Sequence, residues 1–159
     1  MERILVSACL LGQRVRYDGG GFDPLQQLLE WQAQGRLVVV CPEVDGGLPT
    51  PRPPAGIPGG QGADVLAGRL PVHTDQGEDV TAPFVRGAEQ ALALVRRHGI
   101  RYALLKARSP SCGNVETYDG SFSGVRVSGE GVAAAALRQA GVRVFNEEQL
   151  ADLAALLQS

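Results

Sequence analysis

Cysteine and lysine are the scarce residues of this 159-residue chain: there are three cysteines, Cys9, Cys41 and Cys112, and one lysine, Lys106, beside fourteen arginines. An odd number of widely separated cysteines cannot close into a disulfide framework, and no C-x-x-C pair of the kind that organises structural zinc is present. Positive charge is not in excess. The formal net charge is −2 and no basic stripe stands out, so no nucleic-acid partner is expected. No apolar run approaches the roughly 18 residues of a membrane span, so no membrane partner is expected either. The glycines at 19–21 and 59–62 lack the Gly-Lys-Ser/Thr ending of a phosphate loop and the G-x-G-x-x-G pattern. The two histidines, His73 and His98, show no ligand spacing.

Val6, Ser7, Ala8 and Cys9 imitate a lipoprotein cleavage site. Only Glu2 to Leu5 precede them after Met1, too few for a basic segment and the roughly 7 to 15 apolar residues of a signal peptide. We therefore expect a cytoplasmic protein, where thiols stay reduced and favour metal or thiol chemistry. An apolar content of 44% over this length suits one well-cored domain spanning 1–159.

Apolar runs at Arg3 to Ala8, Leu37 to Val40, Tyr102 to Leu105 and Val142 to Phe145 predict short buried strands. Helices are expected between them. Asp23 and Pro24 open one whose Leu25, Leu28, Leu29 and Gln32 follow helical spacing up to Gly35, and Thr81 caps another with Phe84, Ala88, Leu92 and Val95 as its buried stripe. Gly131 to Ala140 reads as a third, and Asn146 with Gln149 as a capping box opening a fourth through Leu157. Residues 42–80 hold most of the prolines and predict an irregular functional loop, with a small hairpin around Gly68 and a turn near Gly77 in its second half. Strands alternating with helices give an α/β fold: a mainly parallel sheet, helices on both faces, and a Pro/Gly-rich insertion.

All three cysteines follow predicted strands, so this topology places them on one rim although they lie 32 and 71 residues apart in sequence. Ligands of open α/β sheets bind on that rim. Three thiolates there suit an iron-sulfur cluster, a zinc ion or a thiol enzyme, and three unrelated buried cysteines would look the same in sequence. Glu43, two residues beyond Cys41, is the carboxylate best placed as a general base. Lys106, a compact cation at a strand end, can neutralise an anionic cluster or substrate, or be a chance survivor on the surface. Ser109, Ser111 and Asn114 crowd Cys112 and can hydrogen-bond cluster sulfides or a substrate carbonyl, although turn chemistry accounts for the same composition. Asp18 and Asp119 each sit in a Tyr-Asp-Gly triplet that favours turns. Asp18, Lys106, Ser111 and Asn114 form the candidate substrate-contact set.

The blocks VSACLLG at 6–12 with RYDG at 16–19, CPEVDGGLPTPRPPA at 41–55, LLKARSPSCG at 104–113 and YDGSF at 118–122 resemble the thiouracil desulfidases, over nearly the whole chain. The resemblance implies a Rossmann-like three-layer domain. It implies a 4Fe-4S cluster on Cys9, Cys41 and Cys112 with one iron open to an outside ligand, and a hydrolytic, non-redox conversion of a thiopyrimidine such as 2-thiouracil to its oxo form and hydrosulfide. Glu43 falls on the family's catalytic glutamate and Ser109 on its active-site serine. The rival functions are a non-catalytic iron-sulfur sensor and a sulfur-transfer enzyme for another thiolated substrate.

Overall fold

The computed structural model describes residues 2–14, 16–20 and 25–158. In chain order the strands are β1 (Ile4–Ser7), β2 (Leu37–Val40), β3 (Ala55–Gly56), β4 (His73–Thr74), β5 (Tyr102–Leu105), β6 (Glu116–Tyr118), β7 (Arg126–Ser128) and β8 (Arg143–Asn146). The α-helices are α1 (Gln26–Ala33), α2 (Pro42–Asp45), α3 (Gly62–Leu66), α4 (Thr81–His98), α5 (Val132–Gln139) and α6 (Leu150–Gln158). The four expected strands form one all-parallel sheet in the order β2-β1-β5-β8, with Ile4 in register with both Leu37 and Tyr102, and Tyr102 with Arg143.

Side-chain alternation along the strands splits the core into two faces. Leu5, Ala103 and Leu105 pack with Ala91, Val95, Ala134 and Leu137 of α4 and α5. Ile4, Val6 and Leu104 pack on the other face with Leu28 and Trp31 of α1 and Leu153 of α6. The result is the Rossmann-like three-layer arrangement the sequence predicts. A parallel sheet needs helical crossovers, and these helices supply them.

Several local expectations are revised. The buried stripe of α1 runs through Leu28 and Trp31, whereas Leu25 and Leu29 are exposed; Asp23 and Pro24, its expected opening, lie outside the described residues. The β2 strand lies at the sheet edge and leaves Val39 exposed. No hairpin forms around Gly68: the segment before it folds as α3, whose capping box joins Gln61 and Asp64, and β4 pairs instead with the earlier β3. Gly77 does occupy a turn, with a positive φ. The start of α4 is capped by Asp79 Oδ1, which accepts from Thr81 N at 2.9 Å, while Thr81 Oγ1 accepts from Val72 N at 2.9 Å. The β6–β7 hairpin has little signal in the sequence, because Asp119 to Gly124 reads as turn residues and the flanking strands are only three residues long. The Asn146 capping box is present as expected, ahead of a one-turn 3-10 helix that runs into α6.

A close approach of two helices sets the height of α2 above the sheet. A Cβ on Gly87 of α4 would lie 1.9 Å from Pro42 O, and one on Gly46 would lie 2.0 Å from Pro83 O. Both contacts are with backbone, which cannot swing away. Gly87→Ala should therefore push α2 off α4 and destabilise the fold by about 3 kcal/mol, the upper range for overpacking. Denaturant unfolding of the variant would show it; unchanged stability would mean that the two helices are free to separate.

Candidate metal centre and its glutamate

Sheet order reverses between β1 and β5, since β1 leads to β2 on one side and β5 to β8 on the other. Loops leaving the carboxyl ends of strands at such a point diverge and leave a crevice. Cys9 leaves β1 in a one-turn 3-10 helix, Ala8–Leu11, stopped by Gly12 in the left-handed region. Cys41 leaves β2 at the N-cap of α2. Cys112 follows β5 in a loop laid over the start of α5, where Val132 N bonds Pro110 O at 2.9 Å and Ala134 N bonds Ser111 O at 3.0 Å. Gly131 permits that contact, because a Cβ there would lie 2.6 Å from Pro110 O and Ser111 O. Cys9 packs with the α1 and α6 face and Cys112 with the α4 and α5 face, so these two thiols lie on opposite faces of the sheet.

None of the three is in a disulfide; Cys9 and Cys112 are buried and Cys41 is half-buried. Burial pushes the Cys9 thiol up to about 11, with Cys41 adding to the effect and Lys106 and Arg16 opposing it. Burial raises Cys41 too, against the Val44 N–H that faces its sulfur. Cys112 is driven well above the ordinary thiol range, chiefly by burial and also by Glu43, Cys9 and Cys41, against a hydrogen bond with Ser7. These thiols sense one another's charge and would be poor thiolates alone. A cationic iron centre is what stabilises such a set in its ligating form.

One further feature of the site fits a bound group. The Ser111 hydroxyl, fully buried beside Cys112, has no hydrogen-bond partner among the described residues. A buried orphan hydroxyl is costly unless a bound group completes it.

Glu43 and Ser109 stand on two different elements of the rim. Glu43 stands in the first turn of α2, its side chain 16% exposed, and accepts from Arg52 Nε at 3.2 Å through Oε1. Burial raises its carboxyl above the usual range, while Arg52 and a hydrogen bond from Ser109 work the other way. The Ser109 hydroxyl accepts from Ser111 N and Cys112 N, both at 3.0 Å. Glu43 thus stands on the element that carries Cys41, and Ser109 is fixed to the backbone of the loop that carries Cys112.

The other expected contacts divide. Lys106 lies beside Cys9, but its ammonium pairs with Glu147 Oε2 at 2.8 Å and donates to Ala107 O at 3.0 Å. Asn114 commits its amide to the end of β8 and the turn beyond, donating to Val144 O and Gln149 Oε1 and accepting from Asn146 Nδ2. Asp18 is exposed and closes a turn by accepting from Gly20 N at 2.8 Å; Asp119 does the same for Ser121 N at 2.9 Å. Three residues escaped the sequence reading. Arg52 was hidden in the proline-rich block; Ser7, whose hydroxyl also accepts from Lys106 N at 2.9 Å, looked like a strand residue; Glu147 was one acid of a helix start.

A model of the 2-thiouracil desulfurase family matches residues 4–149. The chain belongs to that family. It is 43% identical over 152 residues to the uncharacterized protein YbbK of Bacillus subtilis (strain 168), covering 94% of this chain and 99% of that one. Among solved structures it matches a 4Fe-4S-dependent thiouracil desulfidase, TudS, with 51% identity, a TM-score of 0.90 and 99% coverage of both chains. Among the described residues no helix is long and apolar enough to cross a membrane.

Proposed function

We infer that this protein is a cytoplasmic, cluster-dependent desulfidase that hydrolyses the thiocarbonyl of 2-thiouracil or a close thiopyrimidine. Family membership and the likeness to TudS support the activity. The observation that carries the site is the enclosed Glu43 carboxylate, two residues beyond Cys41 and held by Arg52 Nε at 3.2 Å. Cys9, Cys41 and Cys112 would hold a 4Fe-4S cluster. When bound, the cluster supplies an open, sulfur-ligated iron, a soft partner for the soft thiocarbonyl sulfur, which leaves the attached carbon electron-poor.

The chain's own residues do the rest. Glu43 takes a proton from the water that adds to that carbon. Ser109, held by two backbone N–H groups, presents its hydroxyl at the same place. Ser111 completes its hydrogen bonding on the bound group, and the Lys106 ammonium balances negative charge beside Cys9. Asp18 and Asn114 act at a distance by shaping the loops around the crevice. The overall change is thiocarbonyl plus water to carbonyl plus hydrogen sulfide, with no electrons gained or lost. A free base suits this net-negative domain better than a thiolated RNA, whose phosphates would call for a basic stripe.

Anaerobic incubation of cluster-loaded protein with 2-thiouracil should yield uracil and sulfide in equal amounts without an electron donor. Turnover that requires a reductant would exclude the hydrolytic reading, and turnover confined to thiolated RNA would exclude the substrate.

A further inference from the structure

The Arg52 side chain is only 4% exposed, and a guanidinium so enclosed must place its donors on acceptors. Nε donates to Glu43 Oε1 at 3.2 Å, and Nη1 donates to Pro49 O and Thr50 Oγ1, both at 3.1 Å. The backbone N of Arg52 donates to Tyr17 O at 2.6 Å, tying the segment to the loop that follows Cys9. Because the guanidinium is a rigid plane, fixing Nη1 on the Pro49–Thr50 turn also fixes the direction of Nε. Glu43 Oε1 therefore has one place to sit.

Ser109 stands on the Cys112 loop and favours the ionised form of the same carboxyl. A hydroxyl has one proton and two lone pairs. Both lone pairs of Ser109 are engaged by Ser111 N and Cys112 N, which leaves its proton as the group it can donate. A glutamate on a short helix has three rotatable bonds and no intrinsic reason to hold one orientation. Here Arg52 supplies that reason from the proline-rich loop.

We propose that Arg52 is a positioning residue for Glu43: its guanidinium holds the carboxylate in the orientation from which it takes the proton of the attacking water, without itself touching the substrate. The proposal rests on the reading of Glu43 as the base of a desulfidase. Misplacement of a reacting group by about 1 Å can cost roughly a hundredfold in rate, so loss of the grip should be felt in kcat.

The test compares Arg52→Met, Arg52→Lys, Glu43→Gln and the double variant Glu43→Gln/Arg52→Met as cluster-loaded proteins acting on 2-thiouracil, together with the crystal structure of Arg52→Lys. Lysine keeps the charge but cannot make the planar pair of contacts. Both single Arg52 variants should retain wild-type iron while kcat falls about 10- to 100-fold and KM stays within about threefold. The double variant should be no slower than Glu43→Gln alone, since a residue acting through Glu43 has nothing left to position. In the Arg52→Lys crystal the Glu43 carboxylate should leave the position it holds in the parent protein. A raised KM at wild-type kcat would make Arg52 a substrate contact and overturn the proposal. So would loss of the cluster, losses that multiply in the double variant, or wild-type kcat in Arg52→Lys. If Arg52→Met fails to fold, Arg52→Lys decides. If the wild-type protein shows no desulfidation, the functional reading fails, and the Arg52→Lys crystal alone decides the positioning role: a displaced Glu43 sustains it and an unmoved one overturns it.

Discussion

Cys41→Ser should strip the iron-sulfur cluster from the protein while leaving the apoprotein at least as stable as before. Cys41 is the N-cap of α2, in extended conformation, and its side chain makes no capping hydrogen bond. Serine is among the best residues for that position, and its oxygen is a stronger acceptor than a thiol, so the cap gains up to about 1 kcal/mol. A cluster held by three thiolates, however, loses one of its three protein anchors. Anaerobic reconstitution should give about four irons and four sulfides per wild-type chain, with broad absorbance, and almost none in Cys41→Ser. Cys9→Ser and Cys112→Ser should lose the cluster as well, but a hydroxyl at 8% or 5% exposure also weakens the core, so they separate the two effects less cleanly. Wild-type iron in Cys41→Ser, or stoichiometric zinc with no iron uptake in the parent, would refute the assignment.

The second large effect is expected at Glu43. Glu43→Gln keeps the size of the side chain and should keep the cluster, since the residue is not among the thiolate ligands. It removes the carboxylate that Arg52 Nε holds, and desulfidation should fall by at least about a hundredfold, the common scale for a lost general base. A stability cost should accompany the loss. The amide is neutral, so the enclosed Arg52 guanidinium loses the Glu43 charge, at about 3 kcal/mol. Ser109→Ala should be milder, because it leaves the base in place. The check is kcat alongside iron content and thermal melting. Cluster loss in Glu43→Gln with normal turnover by any remaining loaded protein would make the residue structural.

The sheet and the rim were legible because their signals are local. Runs such as Ile4 to Ser7 and Tyr102 to Leu105 announce strands by composition, and a cysteine after each of three parallel strands falls on one edge by topology alone. Glu43 and Ser109 were legible because each is close in sequence to a cysteine. Arg52 was not: its role depends on the proline-rich segment folding back over α2, a contact between loops that no periodicity records. The same is true of Lys106, whose pairing with Glu147 spans 41 positions and joins the end of β5 to the turn after β8. The expected hairpin at Gly68 failed for a related reason. Gln61 and Asp64 form a local capping box that favours a helix turn, and β4 found its partner upstream in β3.

In the proposed reaction water, and not an electron donor, removes the sulfur. Cluster-loaded protein should therefore be given 2-thiouracil anaerobically in ¹⁸O-labelled water, with no reductant, and the uracil weighed by mass spectrometry. One ¹⁸O atom is expected in every uracil formed, with one sulfide released beside it. Uracil without the label, or none until a reductant is supplied, would contradict it.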